Sequence, residues 1–89
     1  MSASLALDVA PGTSALERLL SVVRRRGFHI DALQAVRASH DHGALSVELE
    51  VSGERSVEVL SRHLQNLSDC QRVRITGRDF EGARARRAS

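Results

Sequence analysis

The sequence predicts a small α+β domain in which two helices cover one face of a four-stranded antiparallel sheet. Three observations carry this prediction: a length of 89 residues, period-two alternation of apolar residues in two segments, and helical spacing of apolar residues in two others. A chain of this size buries only about 60–65% of the surface that its unfolded form exposes. Association with a partner is therefore an expected supplement to its stability.

The first elements along the chain are a strand and a helix. Leu5, Leu7 and Val9 alternate with small or polar residues, as in a strand that buries one face. Ser14 and Glu17 have the spacing of a capping box, which predicts that a helix starts at Ser14. The apolar stripe of that helix is formed by Leu16, Leu19, Leu20 and Val23.

Residues 24–30, RRRGFHI, predict the end of this helix and the start of a second strand. Arginines in a last helical turn interact favourably with the free carbonyl groups and with the negative end of the helix dipole. Gly27 suits the left-handed position that ends many helices, and Phe28 then makes the apolar contact of a Schellman motif against Val23. This structural role leaves the residues just beyond the glycine available for a second one.

Two strands joined by a hairpin turn are expected next. Residues 30–39 are rich in Leu, Val and Ala, and their blurred alternation indicates a bulge. Residues 40–43, HDHG, predict the turn. Residues 45–52, LSVELEVS, alternate without exception and predict the clearest strand of the chain.

The last elements are a second helix and a short strand. Val57, Leu60, Leu64 and Leu67 form its apolar stripe. Its N-cap is either Ser52 or Ser56, and Val73 and Ile75 mark the strand. The order β-α-β-β-α-β is the ferredoxin-like arrangement, with the domain at residues 4–76 and a disordered basic tail at 77–89. On the uncovered face of the sheet we expect the charged residues Asp8, Glu48, Glu50, Arg72 and Arg74.

Composition narrows the class of protein further. The chain has no Trp and no Tyr, and only two Phe residues, so it offers little for stacking on unpaired bases. Cys70 is the only cysteine, which excludes an intramolecular disulfide and favours a reducing compartment. The N-terminal residues lack the pattern of a signal peptide, and no apolar run is long enough to span a membrane. These features predict a cytoplasmic protein.

The run SALERLLSVVRRRGFHIDAL, followed by a strand, a helix with VEVLSRHLQNL and a last strand, resembles the small regulatory subunits of acetohydroxyacid synthase (acetolactate synthase). The resemblance covers residues 4–76 and is greatest to the isozyme II type, which has a single ACT domain. It implies a non-catalytic subunit that binds and activates a large subunit in branched-chain amino-acid biosynthesis. It implies no cofactor in this chain; thiamine diphosphate, FAD and Mg²⁺ are expected on the large subunit. Because a small domain with an uncovered sheet face gains by association, we also expect a two-fold homodimer through the ACT domain, either by extension of the sheet or by packing of equivalent helices.

The resemblance also locates a candidate effector site. In feedback-inhibited members valine lies between two ACT domains, held by an asparagine and a glycine before the first helix and by an asparagine after the arginine-glycine-aromatic motif. The corresponding residues here are Pro11, Ser14 and His29, and all three depart from that pattern. Because proline has no N–H, serine is bulkier than glycine and imidazole differs from a carboxamide, we expect weak or absent valine feedback. Gly12 and Ile30 complete the candidate site, whose loop and strand-start residues are expected to converge around the first helix.

Other residues that could carry chemistry have simpler explanations. His40, Asp41 and His42 contain metal-ligand groups, but their spacing does not suit a closed zinc site. Cys70 is expected to be a half-buried structural residue, and His29 has no nucleophile nearby in the sequence. The tail run GARARR, with Arg84, Arg86 and Arg87, could contact nucleic acid through phosphates, although such a tail more often confers solubility.

Three alternatives to a synthase subunit remain at this point. A free-standing ACT-domain amino-acid sensor would bind a ligand without any partner. A βαββαβ nucleic-acid module is disfavoured because the sheet lacks aromatic residues. An enzyme is the least favoured alternative, since no set of acid, base and nucleophile assembles in the sequence.

Overall fold

The structure, a computed structural model, describes residues 2–37 and 44–78. Its elements are β1 (Ser2–Val9), α1 (Thr13–Arg25), β2 (His29–Arg37), β3 (Leu45–Ser52), α2 (Val57–Gln65) and β4 (Cys70–Arg78). The strands form one four-stranded antiparallel sheet in the order β2-β3-β1-β4. This is the ferredoxin-like topology, so the predicted fold class is confirmed.

The core between the sheet and the helices is made almost wholly of aliphatic side chains. The strands contribute the alternating residues of β1 and β3, and each helix contributes its apolar stripe. The most deeply buried side chains are Leu5, Leu7, Val9, Leu19, Val23, Val47, Leu49, Val51, Val57, Leu60 and Leu64. Full burial of a side chain of this type stabilises the fold by about 1.5–3 kcal/mol, so this cluster supplies most of the driving force for folding.

Burial declines toward one edge of the sheet. A row of paired residues crosses the helix-covered face, from Leu33 on β2 through Leu49 and Leu5 to Ile75 on β4. The two inner leucines are completely buried and Ile75 is half-buried, whereas Leu33 is 42% exposed. The two ends of the row differ because α2 packs on β4, while the last five residues of β2 are all exposed.

Irregular pairing is confined to the two edge strands. β2 has a single bulge, at Asp31, which confirms the bulge expected from its blurred alternation. β4 has two register shifts opposite β1, at residues 72–73 and at Thr76. At the first shift Arg72 has a φ of 56°, in the left-handed region that non-glycine residues seldom adopt. The bulged strand β4 is consequently longer than the short strand expected around Val73 and Ile75.

The C-terminal end of α1 is the predicted Schellman motif. Gly27 has a φ of 92°, the N–H of Phe28 donates to the carbonyl of Val23 at 3.2 Å, and the N–H of Gly27 donates to that of Arg24 at 3.0 Å. Phe28 and Val23 are both buried in the core cluster. The structural interpretation of RRRGFHI is therefore confirmed.

The N-terminal end of α1 differs from the prediction. The N-cap is Gly12, with φ 109° and ψ 149°, and no side chain caps the helix. Ser14 lies inside the first turn, so the predicted capping box with Glu17 is wrong. The reason is that Gly12 adopts a backbone conformation open only to glycine, which places the N-cap two residues before Ser14. In α2 the cap is Ser56, whose hydroxyl accepts from the N–H of Glu58 at 3.2 Å.

The predicted boundaries also need correction at both ends. β1 begins at Ser2, before residue 4, and β4 continues through Gly77 and Arg78, which had been assigned to the tail. The remaining tail and the predicted hairpin at 40–43, including the three residues considered for a metal site, lie outside the described residues. In the described part of the chain, no helix has the length and apolar character needed to cross a bilayer.

Candidate functional site

The candidate effector residues occupy the two ends of the sheet. Pro11 and Gly12 follow the end of β1 and Ser14 begins α1, whereas His29 and Ile30 begin β2. His29 pairs with Ser52, and Ser52 pairs with Ser2 at the start of β1. The two groups are therefore separated by the whole length of β1, which is about 25 Å at the usual rise per residue.

The expected convergence of these residues within one chain is wrong. β1 and β2 run parallel in the sheet, because both pair antiparallel with β3. The helix that joins them returns the chain to the other end before β2 begins, so the end of β1 and the start of β2 are necessarily far apart. One copy of the chain thus holds the candidate effector residues in two separate groups, which we call the Gly12 end and the His29 end.

The Gly12 end presents an open helix N-terminus. No side chain caps α1, so its first backbone N–H groups are not bonded by a side-chain cap, an arrangement that suits a carboxylate. A Cβ atom at Gly12 would have no neighbour within 4 Å, so the space beside it is open. An adjoining cleft of about 240 Å³ is lined by Asp8, Val9, Ala10, Pro11, Ala44, Ser68, Asp69 and Gln71.

The His29 end combines a close contact between two loops with an open cleft beside α1. His29 is exposed, opposite Ser52 on the uncovered face, while Ile30 points toward the helices opposite Val51. A Cβ atom at Gly53 would lie 3.0 Å from the carbonyl oxygen of Gly27, so the two loops at this end are in close contact. An open cleft of about 490 Å³ is lined by Arg24, Gly27, Phe28, His29 and Ile30.

Two ion pairs fix the surroundings of the Gly12 end. Arg72 donates to the carboxylate of Asp8 at 3.1 Å on the uncovered sheet face. Arg18 of α1 pairs with Asp69, whose carbonyl oxygen accepts from the N–H of Ala10 at 2.8 Å. The loop before α1 is thereby tied to the loop before β4, and the carboxylates that line the cleft are already partly neutralised.

The pKa values of two titratable groups are shifted, in opposite directions. The hydroxyl of Ser56 donates to Glu58 at 2.7 Å and, together with the N–H of Glu58 and the guanidinium of Arg78, lowers the pKa of Glu58 to about 2. Burial raises the pKa of the Cys70 thiol. A thiol with a raised pKa is a poor nucleophile, which supports a structural role for this residue. Among residues 2–37 and 44–78, no three potential metal ligands lie together.

Some residues at these two ends were missed in the sequence. Ser68, Asp69 and Gln71 line the cleft beside Pro11, although more than fifty residues separate them from it. At the His29 end, Arg55 lies against Gly27. A Cβ atom added at Gly27 would be 3.7 Å from the Nε atom of Arg55. No local pattern marks such residues, because only the pairing of β4 with β1 and the packing of the two loops bring them into place.

The order and pairing of its elements define a small α+β domain of ferredoxin-like topology. The family model of the ACT domain matches residues 12–73. The chain therefore belongs to the ACT-domain family.

Two relatives with assigned names show which kind of ACT-domain protein the chain resembles. The chain is 43% identical over 60 residues to the acetolactate synthase isozyme 2 small subunit of Escherichia coli K12, a match that covers 67% of this chain and 68% of the relative. The same identity and coverage are found with the acetolactate synthase isozyme 2 small subunit of Shigella flexneri. The family resemblance inferred from the sequence is thus confirmed.

Proposed function

We propose that this chain is a non-catalytic regulatory subunit that binds and activates the large subunit of an acetohydroxyacid synthase (acetolactate synthase) in branched-chain amino-acid biosynthesis. The observation that carries the proposal is the 43% identity to isozyme 2 small subunits. It implies a cytoplasmic location and a large subunit that holds thiamine diphosphate, FAD and Mg²⁺. A subunit without catalytic groups can raise turnover by binding the competent conformation of its partner more tightly than the incompetent one.

Reconstitution with the large subunit of the same organism tests this proposal. Acetolactate formation is measured while the full chain is titrated into a fixed amount of large subunit, and the complex is followed by size-exclusion chromatography. We expect turnover to rise and then level off at a fixed subunit ratio. An unchanged rate together with the lack of any complex would refute the assignment. Detectable amino-acid binding by the chain alone would then favour a free-standing sensor.

The second part of the proposal is weak or absent valine feedback. A ligand held by both half-sites requires two copies of the chain, because the Gly12 end and the His29 end lie at opposite ends of one copy. At these half-sites Pro11 offers no N–H, and Ser14 and His29 replace the glycine and the carboxamide of valine-sensitive members. These departures weaken each half-site for an amino acid.

A gain-of-function variant tests the feedback proposal directly. Pro11→Asn, Ser14→Gly and His29→Asn restore the three residues of the valine-sensitive pattern. We expect valine to leave the wild-type complex almost unaffected and to inhibit the complex that contains the triple variant. The single variant His29→Asn serves as a control that completes only the His29 end. Strong inhibition of the wild-type complex through this subunit would contradict the proposal.

Self-association through β2 is the third part of the proposal. The β2 edge carries the exposed apolar residues Leu33 and Val36, which are 42% and 52% exposed. A two-fold pairing of two β2 strands would extend the sheet and cover both residues. Because paired β2 strands run antiparallel, it would also bring the start of one β2 to the end of the other, the level at which the partner's Gly12 end lies.

A further inference from the structure

Four arginines lie together where α1 ends and β2 begins. Arg24, Arg25 and Arg26 are consecutive, and Arg55 from the loop between β3 and α2 joins them by lying against Gly27. All four residues are exposed. We call Arg24, Arg25, Arg26 and Arg55 the basic end of the domain.

The helix itself does not require this concentration of charge. Its last turn is closed by backbone hydrogen bonds from the N–H groups of Arg26, Gly27 and Phe28. A single cation near a helix C-terminus already interacts with the negative end of the helix dipole, and further like charges beside it repel one another. Three consecutive arginines with a fourth from another loop therefore exceed what the helix end can use.

The basic end is also poorly neutralised by the protein. The salt bridges within residues 2–37 and 44–78 involve Arg18, Arg72 and Arg78, and none includes an arginine of the basic end. The charged or titratable neighbours in sequence are the exposed residues Glu54, His29 and Asp31, together with the half-buried Glu58, which is already paired with Arg78. Two carboxylates against four guanidinium groups leave a local excess of positive charge.

The shape of this region suits a protruding acidic group. The cleft of about 490 Å³ beside α1 has Arg24 and His29 on its walls and the backbone of Gly27 at its side. The second cleft next to it is lined by Ser21, Arg24 and Arg25. Positive charge around a recess attracts an oppositely charged surface and orients it, because complementary potentials steer association.

We infer that the basic end binds an acidic surface of the catalytic large subunit and steers the two subunits together. The inference rests on the proposed function, which supplies the partner. A protein surface fits better than nucleic acid because Phe28, the aromatic residue in this region, is only 5% exposed and cannot stack on bases.

Matched charge reversals test the inference in the full chain. Arg24→Glu and Arg55→Glu are compared with Arg62→Glu, which lies in the last turn of α2 as Arg24 lies in the last turn of α1. The control thus reproduces the change in net charge and the position at a helix end. Association with the large subunit is measured by surface plasmon resonance at several salt concentrations, after circular dichroism has shown that each variant is folded.

We expect each reversal at the basic end to slow association about tenfold at low salt, with the difference shrinking as salt rises. Arg62→Glu should associate like the wild type. Equal rates for Arg24→Glu and Arg62→Glu would overturn the inference while leaving the proposed function intact. So would salt-sensitive binding of random-sequence duplex DNA that is lost in Arg24→Glu without any change in large-subunit binding. Failure of the wild type to bind the large subunit would refute the proposed function as well.

Discussion

The two edge strands of the sheet differ in regularity and in cover. β4 is interrupted twice against β1, contains Arg72 in a left-handed conformation, and is tied to α2 by the ion pair between Arg78 and Glu58. β2 has one bulge at its start and then pairs regularly with β3 from Ala32 to the end of the strand. Leu33 on the helix-covered face and Val36 on the uncovered face both remain exposed.

The difference shows which edge is open to another strand. Bulges and charged side chains prevent edge-to-edge pairing, because they disturb the spacing of the backbone donors and acceptors. β4 has two bulges and three arginines along its length, whereas the regular part of β2 has no bulge and a single charged residue, Arg37 at its end. A partner strand is therefore expected at β2, and the sheet is closed to addition at β4.

The largest expected effect contrasts the two ends of the apolar row. Ile75→Ala should lower the free energy of unfolding by about 2 kcal/mol, because α2 covers this residue, and Leu33→Ala by less than about 1 kcal/mol. Urea denaturation at a concentration where the chain is monomeric measures both. Equal losses would mean that the two edges are equally covered and would remove the basis of the comparison.

A lysine placed at each edge separates the strands by their role in association. Val36 and Gln71 lie at opposite ends of one row on the uncovered face, through Ser46 and Asp8. We expect Val36→Lys to raise the dimer dissociation constant about tenfold, because charge replaces an exposed apolar side chain on the proposed pairing edge. Gln71→Lys is the control and should leave it unchanged. Sedimentation velocity gives both constants, and dissociation caused by the Gln71 variant alone would place the interface at β4.

The left-handed residue of β4 offers a sharper test of how that edge is built. Arg72→Gly and Arg72→Ala both remove the ion pair to Asp8, but only glycine adopts a φ of 56° without strain. The glycine variant should be more stable than the alanine variant by about 1 kcal/mol in chemical denaturation. Identical stabilities would show that β4 relaxes to a regular strand when the arginine is removed.

The smallest expected effect concerns how the stability of the fold depends on pH through Glu58, whose ion pair with Arg78 joins α2 to β4. The folded pKa of Glu58, about 2, lies below its ordinary value of 4.5, so its contribution is complete above 4.5 and is lost as the pH falls toward 2. Glu58→Gln should be less stable than the wild type near neutral pH and equal to it near pH 2. Thermal unfolding across this range measures the difference.

Ser56→Ala should show much of the same change with pH, because the Ser56 hydroxyl is the largest cause of the lowered pKa of Glu58. A constant gap at all pH values would contradict this assignment.

Much of the fold could be predicted because its signals are local. The alternation in residues 45–52 fixes which face of β3 is buried, and Gly27 with Phe28 ends α1 as the backbone chemistry of a Schellman motif requires. β4 was predicted too short because two bulges break the alternation by which a strand is recognised. The start of α1 was misplaced because the choice between Gly12 and Ser14 as N-cap depends on the path of the preceding loop.

The arrangement of the candidate site could not be read in the same way. Pro11 and His29 flank one helix in the sequence, which suggests proximity, but the helix is as long as the sheet and carries them to opposite ends. Arg55 joins the arginines of α1 only through packing between two loops, at a separation of nearly thirty residues. Topology determines the first feature and tertiary packing the second. Neither topology nor packing produces a periodic pattern in the sequence that could be recognised.

The separation of the Gly12 and His29 ends has a consequence for signalling. If a small molecule must touch both, no isolated copy can register it, and its occupancy depends on how many chains have already paired. Such a molecule would report two quantities at once, its own abundance and the abundance of the subunit. A cell that made too little of the chain would then lose its response to the small molecule, because the remaining copies would be unpaired.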